Sequence, residues 1–262
     1  MIGWLRIGWV TVSIGLVTLA LLPFQLLFLG LGLPLKRRLP RCWHRACCFL
    51  IGIRVHVHGA PDGRRPLLLS ANHVSWKDIL ILGSIADVTF VAKSEVKSWP
   101  VFGVLARLQE TIFVVREEKR RVGHQANEIA LRLAAGEIVV LFPEGTTSDG
   151  NRLMEIKSSL FGAAGSAVPH SPTGMVHIQP VAIAYTGIQG MAMGRYHRPL
   201  AAWPGDITML PHLIGILREG AIEVDVVFGQ PVDVDAQSRR KDISREVESR
   251  MRSLLGRRLR GR

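Results

Sequence analysis

Between Arg6 and Lys36 the chain runs for 29 residues without a charge. A helix spanning a ~30 Å hydrocarbon core needs about 20 apolar residues, so this run is long enough. It lacks a small-residue cleavage site and reads as retained, not as a removed signal peptide. Pro23 leaves 16 residues ahead of it, about 24 Å of helix at ~1.5 Å per residue. Two membrane arrangements fit, one kinked span or two half-helices dipping into one leaflet, and the short first half favours the dip. A buried core helix is the third option. In either membrane arrangement, the Lys36-Arg37-Arg38 cluster belongs on the cytoplasmic side.

The 262 residues carry a formal net charge of +12. A basic chain invites the idea of a nucleic-acid partner, but the charge is confined to two places. Residues 36–45 hold five basic and no acidic residues, and residues 238–262 hold ten basic and three acidic ones. The remainder is neutral, which argues against nucleic acid and for a membrane surface, where each nearby cation adds roughly 1 kcal/mol of attraction to anionic headgroups. In the C-terminal segment Ile243, Val247, Met251, Leu254 and Leu255 repeat at helical spacing. This predicts an amphipathic helix that covers the core or lies on a membrane. The three cysteines, Cys42, Cys47 and Cys48, fit no disulfide framework. With His44 they match no zinc spacing, so no metal is expected.

The body alternates short apolar runs (54–58, 67–69, 89–92, 111–115, 138–142, 178–184 and 222–228) with helical stretches (78–85, 119–135 and 158–167). This predicts a single α/β domain with a mixed, partly parallel sheet flanked by helices. The expected organisation is an N-terminal anchoring segment, 1–45, as a helix or helical hairpin; the domain, 46–236; and a basic C-terminal helix, 237–262. Strict alternation at 54–58 puts Val55 and Val57 inward and His56 and His58 on one solvated face. The irregular stretch 186–220 holds Trp203, Met209, Leu210, Leu213 and Ile214, and reads as a lid or a membrane-facing loop.

Two segments carry chemistry. The first is Asn72-His73-Val74-Ser75-Trp76-Lys77-Asp78. Five residues in one helix separate side chains by ~140°, so His73 and Asp78 meet only if His73 lies in a loop and Asp78 in the first helical turn. Ser75 as N-cap with Asp78 three residues on supports that placement. Asp78 then either just caps the helix, as in a catalytically silent membrane-associated lipid-binding protein, or also orients His73 as a general base. The second is Phe142-Pro143-Glu144-Gly145-Thr146-Thr147-Ser148-Asp149-Gly150, a loop after an apolar strand, where α/β sheets place ligands.

In this order and spacing the two segments resemble the glycerolipid acyltransferase family, whose bacterial type is the 1-acyl-glycerol-3-phosphate acyltransferase. The resemblance spans roughly residues 50–235. Lys93-Ser94-Glu95 and 112–116 are similar to its second block, and Ile178-Gln179-Pro180-Val181 to its fourth. It implies acyl transfer from an acyl thioester to the free hydroxyl of a lysolipid, with lysophosphatidate (1-acyl-sn-glycerol-3-phosphate, giving phosphatidate) as the first expectation, His73 as base and Asp78 orienting it. Asn72, Lys93, Arg116, Glu144, Gly145, Thr146 and Thr147 would form the substrate site, with Arg116 binding an anionic headgroup. Acyl-CoA or acyl carrier protein would be the co-substrate, without a further cofactor, at the cytoplasmic face of the bacterial inner membrane. The sequence departs from the pattern twice: Glu110 stands where Gly is usual, and Thr147 stands where Arg often follows. The second departure weakens the case for a phosphate-bearing acceptor and admits another lysolipid, such as lyso-ornithine lipid. No Gly-x-Ser-x-Gly elbow is present, so no acyl-enzyme is implied.

Overall fold

The computed structural model describes residues 2–114, 122–205 and 207–261. Helix α1 (Ile2–Gly30) is continuous through Pro23, so the expected pair of half-helices does not form. Proline inside a helix costs roughly 3 kcal/mol, but α1 is held on both sides of it. Upstream, Arg6 donates to the carbonyls of Ile51, at 2.7 Å, and Leu217, and Val10 is buried. Downstream, the Gln25 amide donates to the carbonyls of Leu108 at 2.6 Å and Lys36 at 2.9 Å. At ~1.5 Å per residue α1 is about 44 Å long, more than a ~30 Å hydrocarbon core. One side lies on the body, while Trp4, Leu16 and Leu19 stay exposed.

Helix α2 (Leu35–Ile51) packs against α1 and runs across the expected boundary at residue 45. Its last turns bury His44, Cys47, Cys48 and Ile51. Its cations largely meet the body: Lys36 pairs with Glu110 at 2.9 Å, Arg37 with Glu137, and Arg41 with Asp87 at 3.8 Å. Arg45 donates to the Ser84 carbonyl. The basic cluster read as a headgroup patch is therefore mostly spent on docking α2.

The elements that follow are β1 (Ile53–His58), β2 (Leu67–Ala71), α3 (Lys77–Ile85), β3 (Val88–Lys93), α4 (Phe102–Leu108), β4 (Ile112–Val114), α5 (Val122–Ala134), β5 (Ile138–Leu141), α6 (Gly162–Ala167), β6 (Val176–Ile188), β7 (Met191–Ala192), α7 (Arg198–Ala201), α8 (Met209–Glu219), β8 (Ile222–Phe228), β9 (Val232–Val234) and α9 (Arg240–Leu259). The strands form one sheet in the order β1-β8-β6-β2-β5-β3-β4, with β7 and β9 on β6. Pairing is parallel except where β6 meets β7, β8 and β9. The mixed, mostly parallel sheet flanked by helices is the expected architecture. β2 is buried along its whole length, as a central parallel strand must be.

Three local features have simple causes. Pro180 sits inside β6 where its neighbour changes, because β9 pairs only to Ile178 and β8 begins at Val181; the missing N–H is tolerated there. Val57, expected inward, is exposed because β1 is an edge strand, and His58 instead binds Asp225 at 2.6 Å. Glu110 follows α4 with φ +57°, a backbone that favours glycine, and its strain is offset by the Lys36 pair. The C-terminal helix α9 covers the core with Ile243, Val247, Met251 and Leu255 and leaves most of its arginines outside.

α2 and α3 touch through a glycine. A Cβ on Gly83 would stand 1.9 Å from Nδ1 of the buried His44 ring. Gly83→Ala should cost about 1–3 kcal/mol by overpacking, measured as a lowered denaturation midpoint in detergent.

Candidate active site

The site is assembled at the carboxyl ends of β2 and β5. Just past β2, the Asn72 amide is spent on the neighbouring strand: Nδ2 donates to the Ile183 carbonyl at 2.9 Å and Oδ1 accepts from its N–H at 2.7 Å. Asn72, read as substrate-binding, is thus a clamp between β2 and β6. It fixes where the next residue, His73, leaves the sheet.

The His73 backbone is gripped by the second motif from both sides. Its N–H donates to Glu144 Oε1 at 2.6 Å, and its carbonyl accepts from the Ser148 N–H at 2.9 Å. Glu144 Oε2 accepts from the Met154 N–H at 2.8 Å. Burial pushes the Glu144 carboxyl up to about 7, opposed by the two backbone N–H groups that it accepts. Glu144 therefore braces the His73 turn rather than facing the cleft. The imidazole stacks on Phe142 with ring centres 4.0 Å apart.

Asp78 lies in the first turn of α3 and is fully buried. Its Oδ2 accepts from His73 Nδ1–H at 2.8 Å and from the N–H groups of Val74 and Ser75 at 2.7 and 2.9 Å. Its Oδ1 accepts from the Tyr185 hydroxyl at 2.8 Å. One carboxylate oxygen thus ties the chain entering α3 and bonds the imidazole at the same time. The Ser75 hydroxyl accepts from the backbone N–H of Lys77, the first residue of α3, at 3.5 Å and from the Lys77 ammonium at 2.8 Å, while Trp76 occupies the cap position itself. With Nδ1–H donated to a carboxylate, the neutral ring carries its lone pair on Nε2, which has no partner among the described residues.

Two groups escaped the sequence reading. Tyr185 reaches Asp78 from β6, and burial beside that carboxylate holds its phenol protonated, well above its ordinary range. Lys77 is also fully buried. Its ammonium donates to Ser75 Oγ and, at 2.6 Å, to the Ala201 carbonyl, and lies 5.2 and 5.3 Å from the Trp76 and Tyr185 ring centres. Burial lowers it to about 7, with Asp78 opposing. No sequence signal separates such a lysine from a surface one.

His73 opens on a cleft of about 820 Å³ whose walls come from α1, α2, α3, α4 and α8. Gly145, Thr146 and Thr147 line it near His73, and Lys93 lies on its rim. Gly145 takes φ +76°, which turns the loop back under the cleft. Lys93 is in register with Val114, the last residue of β4. Arg116 follows two residues later and lies outside the described residues.

The buried lysine has a measurable consequence. Its folded pKa is below the ordinary lysine value of 10.5, so the unfolded chain binds more protons between pH 7 and 10.5, and stability should rise with pH across that window. Lys77→Met should flatten that rise, as followed by thermal unfolding at successive pH values.

Comparison with known proteins identifies the family. A family described as Acyltransferase matches residues 54–184. A lyso-ornithine lipid O-acyltransferase from Rhizobium meliloti is 66% identical over 262 residues, covering all of this chain and 90% of that one. A 1-acyl-sn-glycerol-3-phosphate acyltransferase from Neisseria gonorrhoeae is 37% identical over 105 residues, 40% of this chain and 41% of that one. The crystal structure of the 1-acyl-sn-glycerophosphate acyltransferase of Thermotoga maritima aligns with TM-score 0.64 at 20% identity, over 99% of this chain and 98% of that one, and so shares the fold. With the family matching half of the chain and a relative similar from end to end, this chain belongs to the Acyltransferase family.

Proposed function

We propose that this lysolipid O-acyltransferase esterifies the free hydroxyl of lyso-ornithine lipid with a fatty acyl group from an acyl thioester. The observation that carries the chemistry is the His73 imidazole, fixed through Nδ1 and lining an apolar cleft with an Nε2 that has no partner among the described residues. The acceptor moves from lysophosphatidate, the first expectation, to the lyso-ornithine alternative. The relative that bears that name is similar over the whole chain, while the phosphate-acceptor relative matches two fifths of it. Thr147 in place of the usual arginine points the same way.

In this reading the acceptor O–H donates to His73 Nε2. As the oxygen attacks the thioester carbonyl, its proton passes to Nε2 and Asp78 stabilises the resulting imidazolium. The tetrahedral oxyanion needs donors already in place; Thr146 and Thr147 line the cleft, and their backbone N–H groups, without partners among the described residues, are the proposed donors. Collapse breaks the C–S bond, and the leaving thiolate takes the proton back from Nε2. Lys93 and Arg116 are the proposed contacts for the acceptor headgroup. The donor is acyl-CoA or acyl carrier protein, and the site faces the cytoplasm, where such thioesters are supplied in water and the lysolipid comes from the bilayer.

The test is acyl transfer by reconstituted protein to defined lysolipids. Lyso-ornithine lipid should be the preferred acceptor, and His73→Ala should abolish transfer to it. Tyr185→Phe should lower kcat about tenfold with KM little changed, since a hydrogen bond to a charged group is worth about 1.5–3 kcal/mol. Preference for lysophosphatidate would overturn the acceptor, and activity surviving His73→Ala would overturn the base.

A further inference from the structure

Among the described residues, the most strained backbone lies at the mouth of the cleft. Val101 has φ 62° and ψ −58°, and the Phe102 N–H donates to the Pro100 carbonyl at 2.6 Å. This is a γ-turn of positive φ, a rare and strained form, here built on a β-branched residue for which such a backbone is an outlier. Strain of this kind costs of order 1–3 kcal/mol and concentrates at functional positions. The turn thrusts the Val101 side chain outward, 67% exposed, with Val104 one turn later at 48%. It is also braced: a Cβ on Gly103 would stand 2.3 Å from the Lys97 carbonyl, so only glycine allows this close approach. The tip is a fixed projection.

A second segment meets it. Trp99, just before the tip, packs edge to face on Trp203 with ring centres 6.3 Å apart. Trp203 donates through Nε1 to the Ile207 carbonyl. Ile207 and Leu210 are 41% and 66% exposed. Both segments turn one side to the cleft, through Trp99, Phe102, Leu105, Trp203, Met209 and Leu213, and leave the other side apolar and uncovered. α1 lines the same cleft with its own exposed apolar surface continuing outward. Lys97 and Arg107 flank the tip, exposed and without ion-pair partners among the described residues. An apolar tip flanked by two cations, with two tryptophans between it and the shoulder, matches the interface of an anionic bilayer.

We propose that the Val101–Val104 tip and the Ile207–Leu210 shoulder form a second bilayer contact, apart from α1, that seats the cleft mouth in lipid. Acyl chains then pass between bilayer and cleft without crossing water. The sealing role rests on the lysolipid acyltransferase reading, whereas the lipid contact does not, and two readouts separate them.

The contact is tested with nitroxide labels on Val104→Cys and Leu210→Cys, each in a Cys42→Ser background, in vesicles of phosphatidylcholine and phosphatidylglycerol in equal parts. Both labels should be more accessible to oxygen than to a water-soluble nickel chelate, and a label at Arg245 on α9 should show the reverse. Labels at 104 and 210 as open to nickel as that at 245 would overturn the contact. The sealing is tested by combining Val104→Asp with Leu210→Asp. Transfer to lysolipid embedded in vesicles should fall at least about tenfold, since a carboxylate in lipid costs several kcal/mol. Transfer to a monomeric short-chain lysolipid should change less than about twofold. Equal loss with both acceptors would overturn the sealing role. Wild-type protein inactive on every lysolipid would overturn the proposed function and leave the label result standing.

Discussion

A carboxylate with no solvent exposure must be met by donors on nearly every side, because a buried charge left unpaired is prohibitively costly. Asp78 is such a group, and its four donors come from three places: the His73 ring, the turn at Val74 and Ser75, and Tyr185 on β6. One side chain thereby fixes the start of α3, its distance from the sheet and the tautomer of the imidazole. The remaining contacts reinforce that geometry. Asn72 clamps the exit from β2 to β6, Glu144 and Ser148 hold the His73 backbone from the β5 loop, and Lys77 ties the same turn to the Ala201 carbonyl. These loops are thus held by backbone hydrogen bonds, and among the described residues Nε2 is the end of the cluster left without a partner.

Charge and apolar surface divide the remaining work. Much of the basic segment after α1 is neutralised by Glu110, Glu137 and Asp87, so it docks α2 and closes one wall of the cleft. The arginines of α9 remain largely outward, with i,i+4 pairs at Arg250 and Arg252 that add only a few tenths of a kcal/mol each. α1 both walls the cleft and presents apolar surface outward, so one continuous helix joins the cleft to the face proposed for the membrane.

Local patterns were legible in the sequence. His73 and Asp78 lie five residues apart across a loop and a first helical turn, a relation that spacing and helix geometry constrain, and the sheet followed from short apolar runs. What escaped is long-range. Tyr185 meets Asp78 from 107 residues away, and nothing in its strand singles it out among apolar neighbours. Lys77 looks like a surface lysine until Tyr185 and the Ala201 carbonyl close over it. The break expected at Pro23 failed because contacts from Ile51, Leu217 and Leu108 hold α1 on both sides of the proline. Arg116, expected to bind the headgroup, lies outside the described residues.

The central claim is that Asp78 holds His73 as the Nδ1–H tautomer, with Nε2 free to take a proton. The most direct measurement is the ¹⁵N spectrum of ring-labelled His73 in the neutral form, in the wild-type protein and in Asp78→Asn. A protonated Nδ1 with an unprotonated Nε2 in the wild type, lost or mixed in the variant, is the predicted result. A wild-type ring protonated on Nε2 would contradict the account, because no lone pair would then face the acceptor hydroxyl.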